Sequence, residues 1–232
     1  MQKPAICGGT PACPEPVQYG RQYIDDADIR AVSDVLRSPF LTCGPQIPAL
    51  EKKFCELTGA KYAVAVSNGT AALHIACIAA GIAPGDEVIT TPITFAASAN
   101  CVSYCGGTPI FADIDPETYN IDPAAIETCI TSKTKAVIPV DYTGQSVAYD
   151  EIAQICKKHG LLLIQDAAHA VGTRYKGKPI GSLGDMTCFS CHPVKTITSG
   201  EGGIVTTDDE ALYQKLLLAR SHGITRDPSQ MH

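Results

Sequence analysis

One lysine stands apart from the rest of the sequence. Lys195 lies in the stretch CFSCHPVKTITSGEGG, residues 188–203, among hydroxyl, small and glycine residues rather than among other charges. Ser190 precedes it by five positions, and Thr196, Thr198, Ser199, Gly200, Gly202 and Gly203 follow in what reads as a tight loop. Such neighbours let the backbone close around a small anion while the amine points into the same space. That setting suits a lysine forming a Schiff base with a carbonyl cofactor. It equally suits a surface lysine in a Gly/Ser loop.

Four other groups bear on the choice. Asp166 follows the apolar run Leu161-Leu162-Leu163-Ile164-Gln165, where a carboxylate needs a partner; a protonated pyridine nitrogen would be one, and a turn or helix cap another. Ser67-Asn68-Gly69-Thr70-Ala71 lies between an apolar run and an alanine-rich one. Free N–H groups of Gly69, Thr70 and Ala71 at a helix start, with the Thr70 hydroxyl, would bind a phosphate dianion, although a plain N-cap has the same residues. The loop is not a Walker loop, since it lacks G-x-x-x-x-G-K-[ST]. His169 suits either a cofactor oxygen or the core, and Phe95 either a planar ring or ordinary packing.

The elements that position these residues alternate regularly. Strands are expected at 62–66, 87–90, 108–112, 136–140, 161–165, 186–190 and 204–207, the sixth as an alternating strand entering the lysine loop. Helices are expected at 25–37, from about 48 to 57, from Thr70 to Ala80, from Phe95 to Tyr104, near 123–130, at 150–159 and from about 209 to 220. This is an α/β pattern: a seven-stranded, mostly parallel sheet with helices on both faces. Ligands in such sheets lie beyond the carboxyl ends of the strands. Three strand ends would therefore bring the phosphate-type loop, Asp166 and Ser190 with Lys195 to one edge.

Composition narrows the partners. A chain of 232 residues, 45% hydrophobic and 18% charged, is an ordinary globular protein, and a net charge of −6 argues against nucleic acid. The N-terminus has no basic start followed by an apolar run, so no signal peptide is read and a cytoplasmic setting is expected. The longest mostly apolar stretch, 72–83, is too short for a membrane span. Eleven cysteines without a disulfide framework read as reduced packing residues. Cys188-Phe189-Ser190-Cys191-His192 matches C-x-x-C-H, but haem attachment requires export, so haem, redox and metal readings are set aside. Cys101 and Cys105 lack a second ligand pair for zinc, and no metal is expected.

The motifs together resemble the DegT/StrS nucleotide-sugar aminotransferases, a branch of the fold-type-I pyridoxal-phosphate (PLP) enzymes. The resemblance is carried by YGRQ at Tyr19, LTCGP at Leu41, SNGTAAL at Ser67, TPITFAASAN at Thr91, QDAAHAVG at Gln165 and FSCHPVKTITSGEGG at Phe189. It implies the fold-type-I large domain, with an N-terminal arm and helices over 1–58 and the cofactor-binding domain over 59–232. It also implies pyridoxal 5′-phosphate held by Lys195 as Schiff base and Asp166 at the pyridinium. Gly69, Thr70, Ala71 and Ser190 would be at the phosphate, Phe95 on the ring, and His169 near the phenolic oxygen. L-Glutamate as donor, a nucleotide sugar as acceptor and a homodimer follow from the same resemblance.

VDYTGQ at Val140, HPVKTITSGEGG at His192 and SHGITRDP at Ser221 look like the subgroup aminating the 4-keto carbon of a UDP-4-keto-6-deoxy-N-acetyl-hexosamine on the route to pseudaminic acid. Cys43 stands where LTQGP has glutamine, near the nucleotide-sugar site. Family members continue past SHGITRD with a Tyr-Asn-Tyr-Arg stretch and a smaller C-terminal domain, which this sequence does not contain. An inactive fragment or non-enzymatic partner of a full-length subunit is thus an alternative expectation. A sugar dehydratase is another, opposed by Lys195, since that branch has histidine there.

Overall fold

The computed structural model describes residues 3–15 and 20–225. Tyr19, where YGRQ begins, and the end of SHGITRDP from Arg226 onward lie outside the described residues, as does part of the arm expected over residues 1–20.

Seven strands form one sheet: β1 (Tyr62–Val66), β2 (Glu87–Thr90), β3 (Thr108–Phe111), β4 (Thr134–Ile138), β5 (Leu162–Asp166), β8 (Met186–Ser190) and β9 (Gly203–Thr207). Their spatial order is β1-β9-β8-β5-β4-β2-β3. Pairings from β3 across to β8 are parallel, whereas β9 is antiparallel to both β8 and β1. Only β9 therefore runs against the others. A short hairpin of β6 (Arg174–Tyr175) and β7 (Lys178–Pro179) lies outside the sheet.

Helices cover both faces, as parallel strands require. On one face α3 (Gly69–Ala79), α4 (Ala97–Tyr104) and α7 (Glu210–Arg220) enclose Val64, Val88, Ile138, Ile164, Met186 and Val205. On the other, α5 (Pro123–Cys129) and α6 (Tyr149–His159) cover Ile89, Val137 and Leu163, while α2 (Gln46–Thr58) sets Phe54 against Phe189. Every residue of β8 and β9 is buried. The alternation expected for 186–190 is thus absent, because this strand sits inside the sheet with both faces covered. Cys188 and Cys191 fall in the separate clusters on the two faces, so C-x-x-C-H does not present two thiols together.

Other differences have local causes. Pro139 follows β4, and the expected 136–140 strand is Thr134–Ile138; the expected 161–165 strand is Leu162–Asp166, which makes Asp166 its last residue. The helix expected to begin at Phe95 begins at Ala97, after Ala96 in a helical conformation without a side-chain cap. The β6–β7 hairpin was not legible as such, because its turn residues, Lys176 and Gly177, both take positive φ without the usual Asn-Gly signature. α1 (Asp26–Arg37) is opened by a capping box between Asp25 and Asp28. Its apolar stripe is not packed, however: Ile29, Val32 and Leu36 are all exposed.

Candidate active site

The carboxyl ends of β1, β5 and β8 supply three chemical groups to one edge of the sheet. At the end of β1, Asn68 caps α3 by accepting from the Ala71 N–H at 2.8 Å. The first-turn N–H groups of Gly69 and Thr70 have no partner within the helix, and the dipole favours an anion there. Gly69 lies so close to the end of β8 that a Cβ would stand 2.8 Å from Ser190 Cβ and 3.1 Å from its Oγ. Likewise a Cβ at Gly203 would stand 2.2 Å from the Asn68 carbonyl oxygen. Two glycines thus allow the α3 start, Ser190 and the beginning of β9 to share one small space. Gly69 and Ser190 are in contact, with Thr70 next in the same turn, whereas the Ala71 N–H, expected to be free, is taken by Asn68.

At the end of β5, Asp166 is 4% exposed. Ser98, in the first turn of α4, donates to its Oδ2 at 2.7 Å, and the Ala168 N–H to its Oδ1 at 3.1 Å. Burial pushes the carboxyl up from its ordinary value; these two donors, then His169 and Lys195, pull against that rise. No ion pair among the described residues involves Asp166. A carboxylate this deep, with two neutral donors and no cation in contact, leaves its charge uncompensated on the side that faces Lys195.

After β8 the chain folds into an arch that carries Lys195. The Cys191 N–H donates to the Gly202 carbonyl at 2.8 Å, closing the arch at its base, and the Thr198 hydroxyl donates to the Cys191 carbonyl at 3.0 Å. Within it the Lys195 N–H donates to the His192 carbonyl at 2.9 Å. The Lys195 side chain is half-buried, and its amine is held below the ordinary lysine range chiefly by burial, opposed by the Asp166 charge. A lowered value favours the neutral, nucleophilic amine.

His169 is half-buried beside the same space. Burial, and secondarily the Lys195 charge, lowers its pKa, with Asp166 acting in the other direction. Its Nδ1 accepts from the Thr143 N–H at 3.3 Å. Phe95 is 73% exposed, on the turn leading into α4. Its carbonyl oxygen lies 3.3 Å from the Oγ of Ser98, the residue whose proton goes to Asp166.

Two participants were missed by reading the sequence. Ser98 lies inside TPITFAASAN but was not singled out, because one serine in a run of small residues carries no signal. Asp141 follows the apolar run AVIPV just as Asp166 follows LLLIQ, and that parallel was available. It is fully buried, accepts from Gln165 Nε2 at 2.8 Å and from the Val147 N–H at 3.0 Å, and burial pushes its carboxyl up to about 7.

A doubly covered, mostly parallel sheet with a helix start, a buried acid and a loop-borne lysine at one edge is the architecture of the PLP-dependent transferases of fold type I. The chain matches the DegT/DnrJ/EryC1/StrS aminotransferase family over residues 22–232 and belongs to it. It is 48% identical over 208 residues to spore coat polysaccharide biosynthesis protein SpsC of Bacillus subtilis, covering 90% of this chain and 54% of that protein. Among solved structures it is similar to Helicobacter pylori PseC, an aminotransferase involved in the biosynthesis of pseudoaminic acid. That match has 39% identity and a TM-score of 0.85 over 91% of this chain and 57% of that one. It is also similar to the PLP form of the sugar aminotransferase Spr1654 of Streptococcus pneumoniae, at 33% identity and a TM-score of 0.84. That match covers 87% of this chain and 57% of the other. The chain thus spans about half the length of the relatives it matches.

Proposed function

We propose that this chain forms the cofactor-binding part of a PLP-dependent nucleotide-sugar aminotransferase, residues 59–232 being the binding domain and 1–58 its arm and leading helices. The observation that carries this reading is the placing of Asp166: a buried carboxylate with no ion-pair partner among the described residues, on the same sheet edge as Lys195 and the α3 start and sensing the Lys195 charge. The residues present fit the cofactor. Gly69 and Thr70, with Ser190, would hold its phosphate, Ala71 lining that turn with its N–H on Asn68; Asp166 would hold its ring nitrogen; Phe95 a ring face; His169 its phenolic oxygen; and Lys195 would be its covalent anchor.

When bound, pyridoxal phosphate supplies the electron sink and carries the amino group from donor to acceptor. The protein groups divide the remaining work. Asp166 would hold a proton on the ring nitrogen, and Ser98 and the Ala168 N–H favour its ionised form against the effect of burial and fix its orientation. Lys195 would take and return a proton at the substrate carbon. The wall of Gly69 and Ser190 would hold the phosphate end and so orient the reacting groups.

The donor in this reading is L-glutamate. The acceptor is the 4-keto carbon of a UDP-4-keto-6-deoxy-N-acetyl-hexosamine of the pseudaminic acid type, supported by the similarity to PseC. The active form is a cytoplasmic homodimer, a reading supported by the exposure of Phe95 and of the α1 apolar stripe. The deciding experiment adds pyridoxal phosphate to the purified protein, records its visible absorbance, reduces with borohydride and maps the labelled peptide. A visible band is expected, trapped on Lys195 and absent from Lys195→Ala. No band, or label on another lysine, would overturn the assignment. Amination of a panel of UDP- and TDP-linked keto-sugars with glutamate then tests the substrate.

A further inference from the structure

The turn that follows β4 does something none of the roles above assigns to it. Residues 141–147 run from Asp141 through Tyr142–Gly144 to Val147, and Asn120 braces the turn from outside. Its Oδ1 accepts from the Tyr142 N–H at 3.0 Å, and its Nδ2 donates to the Gln145 and Ser146 carbonyls, both at 3.2 Å. Asp141 ties the turn from beneath. Its two carboxylate oxygens take the Val147 N–H and Gln165 Nε2, and its own N–H donates to the Asp166 carbonyl at 3.0 Å. Held in this way, Thr143 sits at φ 55°, a conformation that a β-branched residue adopts only under constraint.

The constraint is directed at His169. The Thr143 N–H meets its Nδ1 at 3.3 Å, the Thr173 hydroxyl donates to the Gly144 carbonyl at 2.8 Å, and a Cβ on Gly144 would stand 2.9 Å from the His169 carbonyl oxygen. The turn therefore lies directly against the histidine's backbone and ring. A ring nitrogen that accepts an N–H cannot carry its own proton, so the neutral imidazole is left with its proton on Nε2.

We infer that Asp141 is a positioning residue: it locks the Tyr142–Gly144 turn so that the Thr143 N–H fixes neutral His169 as the Nε2–H tautomer, a hydrogen-bond donor. The use of that donor at the cofactor's phenolic oxygen rests on the function proposed above; the tautomer and its dependence on Asp141 do not. A donor at Nε2 stabilises an ionised oxygen opposite it, whereas the other tautomer would present a lone pair and repel it.

The test is the ring-nitrogen NMR spectrum of His169 in the full chain labelled with 15N-histidine, assigned by its loss in His169→Gln and recorded with and without pyridoxal phosphate. The expected wild-type spectrum, already without cofactor, has widely separated signals, with unprotonated Nδ1 downfield. In Asp141→Ala the two signals should move toward one another as the ring samples both tautomers. Asp141→Asn should restore the separation, since the amide keeps an acceptor for Val147 and can pair with Gln165 after its side chain turns over. Gly144→Ala, in a partly exposed turn and so independent of any folding defect at buried Asp141, should also narrow the separation by pushing the turn off His169. A wild-type ring protonated at Nδ1, or a wild-type spectrum retained in Asp141→Ala or Gly144→Ala, would overturn the inference. Failure of cofactor binding with the expected tautomer intact would count against the proposed function alone.

Discussion

Two acids stand at neighbouring strand ends, and they have opposite kinds of surroundings. Asp166 closes β5 and accepts from the Ser98 hydroxyl and one backbone N–H, on the side of the sheet covered by α3 and α4. Asp141, just past β4, is tied to Val147 and Gln165, beside the cluster covered by α5 and α6. Their backbones are bonded to one another, through the Asp141 N–H and the Asp166 carbonyl. Burial raises both carboxyls. One acid holds up a piece of backbone, and the other faces the space shared with Lys195. Depth alone does not mark a functional carboxylate; what lies opposite the free edge of the group does.

The largest effect that would sharpen this contrast is at Asp166. Asp166→Asn keeps the shape and a hydrogen-bonding partner for Ser98 but removes the negative charge. The glutamate half-reaction, followed by loss of the visible band, should slow about 10³-fold, as for loss of a group controlling a transferred proton. A slowing of less than tenfold would leave Asp166 as a structural acid like its neighbour.

The next effect belongs to Asp141 and is one of stability. Its folded-state value of about 7 lies above the unfolded value, so the native state binds this proton more tightly. The stability so gained is full below about pH 4 and is lost as pH rises through about 7, a change on the order of 4 kcal/mol at most. Urea melts at several pH values should show this loss in the wild type and a flatter profile in Asp141→Asn. Equal slopes in the two proteins would mean that the buried acid is ionised throughout.

The smallest effect is at Ser98. Its hydroxyl lowers the Asp166 value, so Ser98→Ala should raise that value and weaken pyridoxal phosphate binding by about 2 kcal/mol, or roughly thirtyfold, typical of a hydrogen bond to a charge. Titration of the visible band measures it. An unchanged affinity would show that Asp166 needs only its backbone donor.

The two acids also show how far the sequence could be read. Each follows a short apolar run, LLLIQ or AVIPV, and that pattern places an acid at a strand end with some accuracy. It does not say which face the side chain takes, because a one-residue change in where the strand stops reverses the face. Asp166 is the last residue of its strand, whereas Asp141 lies three positions past the end of β4, after Pro139. Lys195 and Gly69 were legible for a different reason: glycine and hydroxyl neighbours mark close backbone approach whatever the tertiary context. Ser98 was not, since its importance comes wholly from a partner 68 positions away. The helical period of α1 was read correctly, but period cannot report whether anything covers the stripe.

The reversed direction of β9 has one further consequence. A parallel connection must cross the sheet and return from its far end, so any change in its length displaces a whole helix. The segment between β8 and β9 instead leaves and re-enters at the same edge, with both feet pinned to adjacent strands by the register Ser190↔Gly203. Lengthening or recolouring its crown, at exposed residues such as Val194 and Ile197, leaves the pairing below untouched. The arch that carries Lys195 is thus anchored at both feet, and its crown can change length without moving a helix of the sheet.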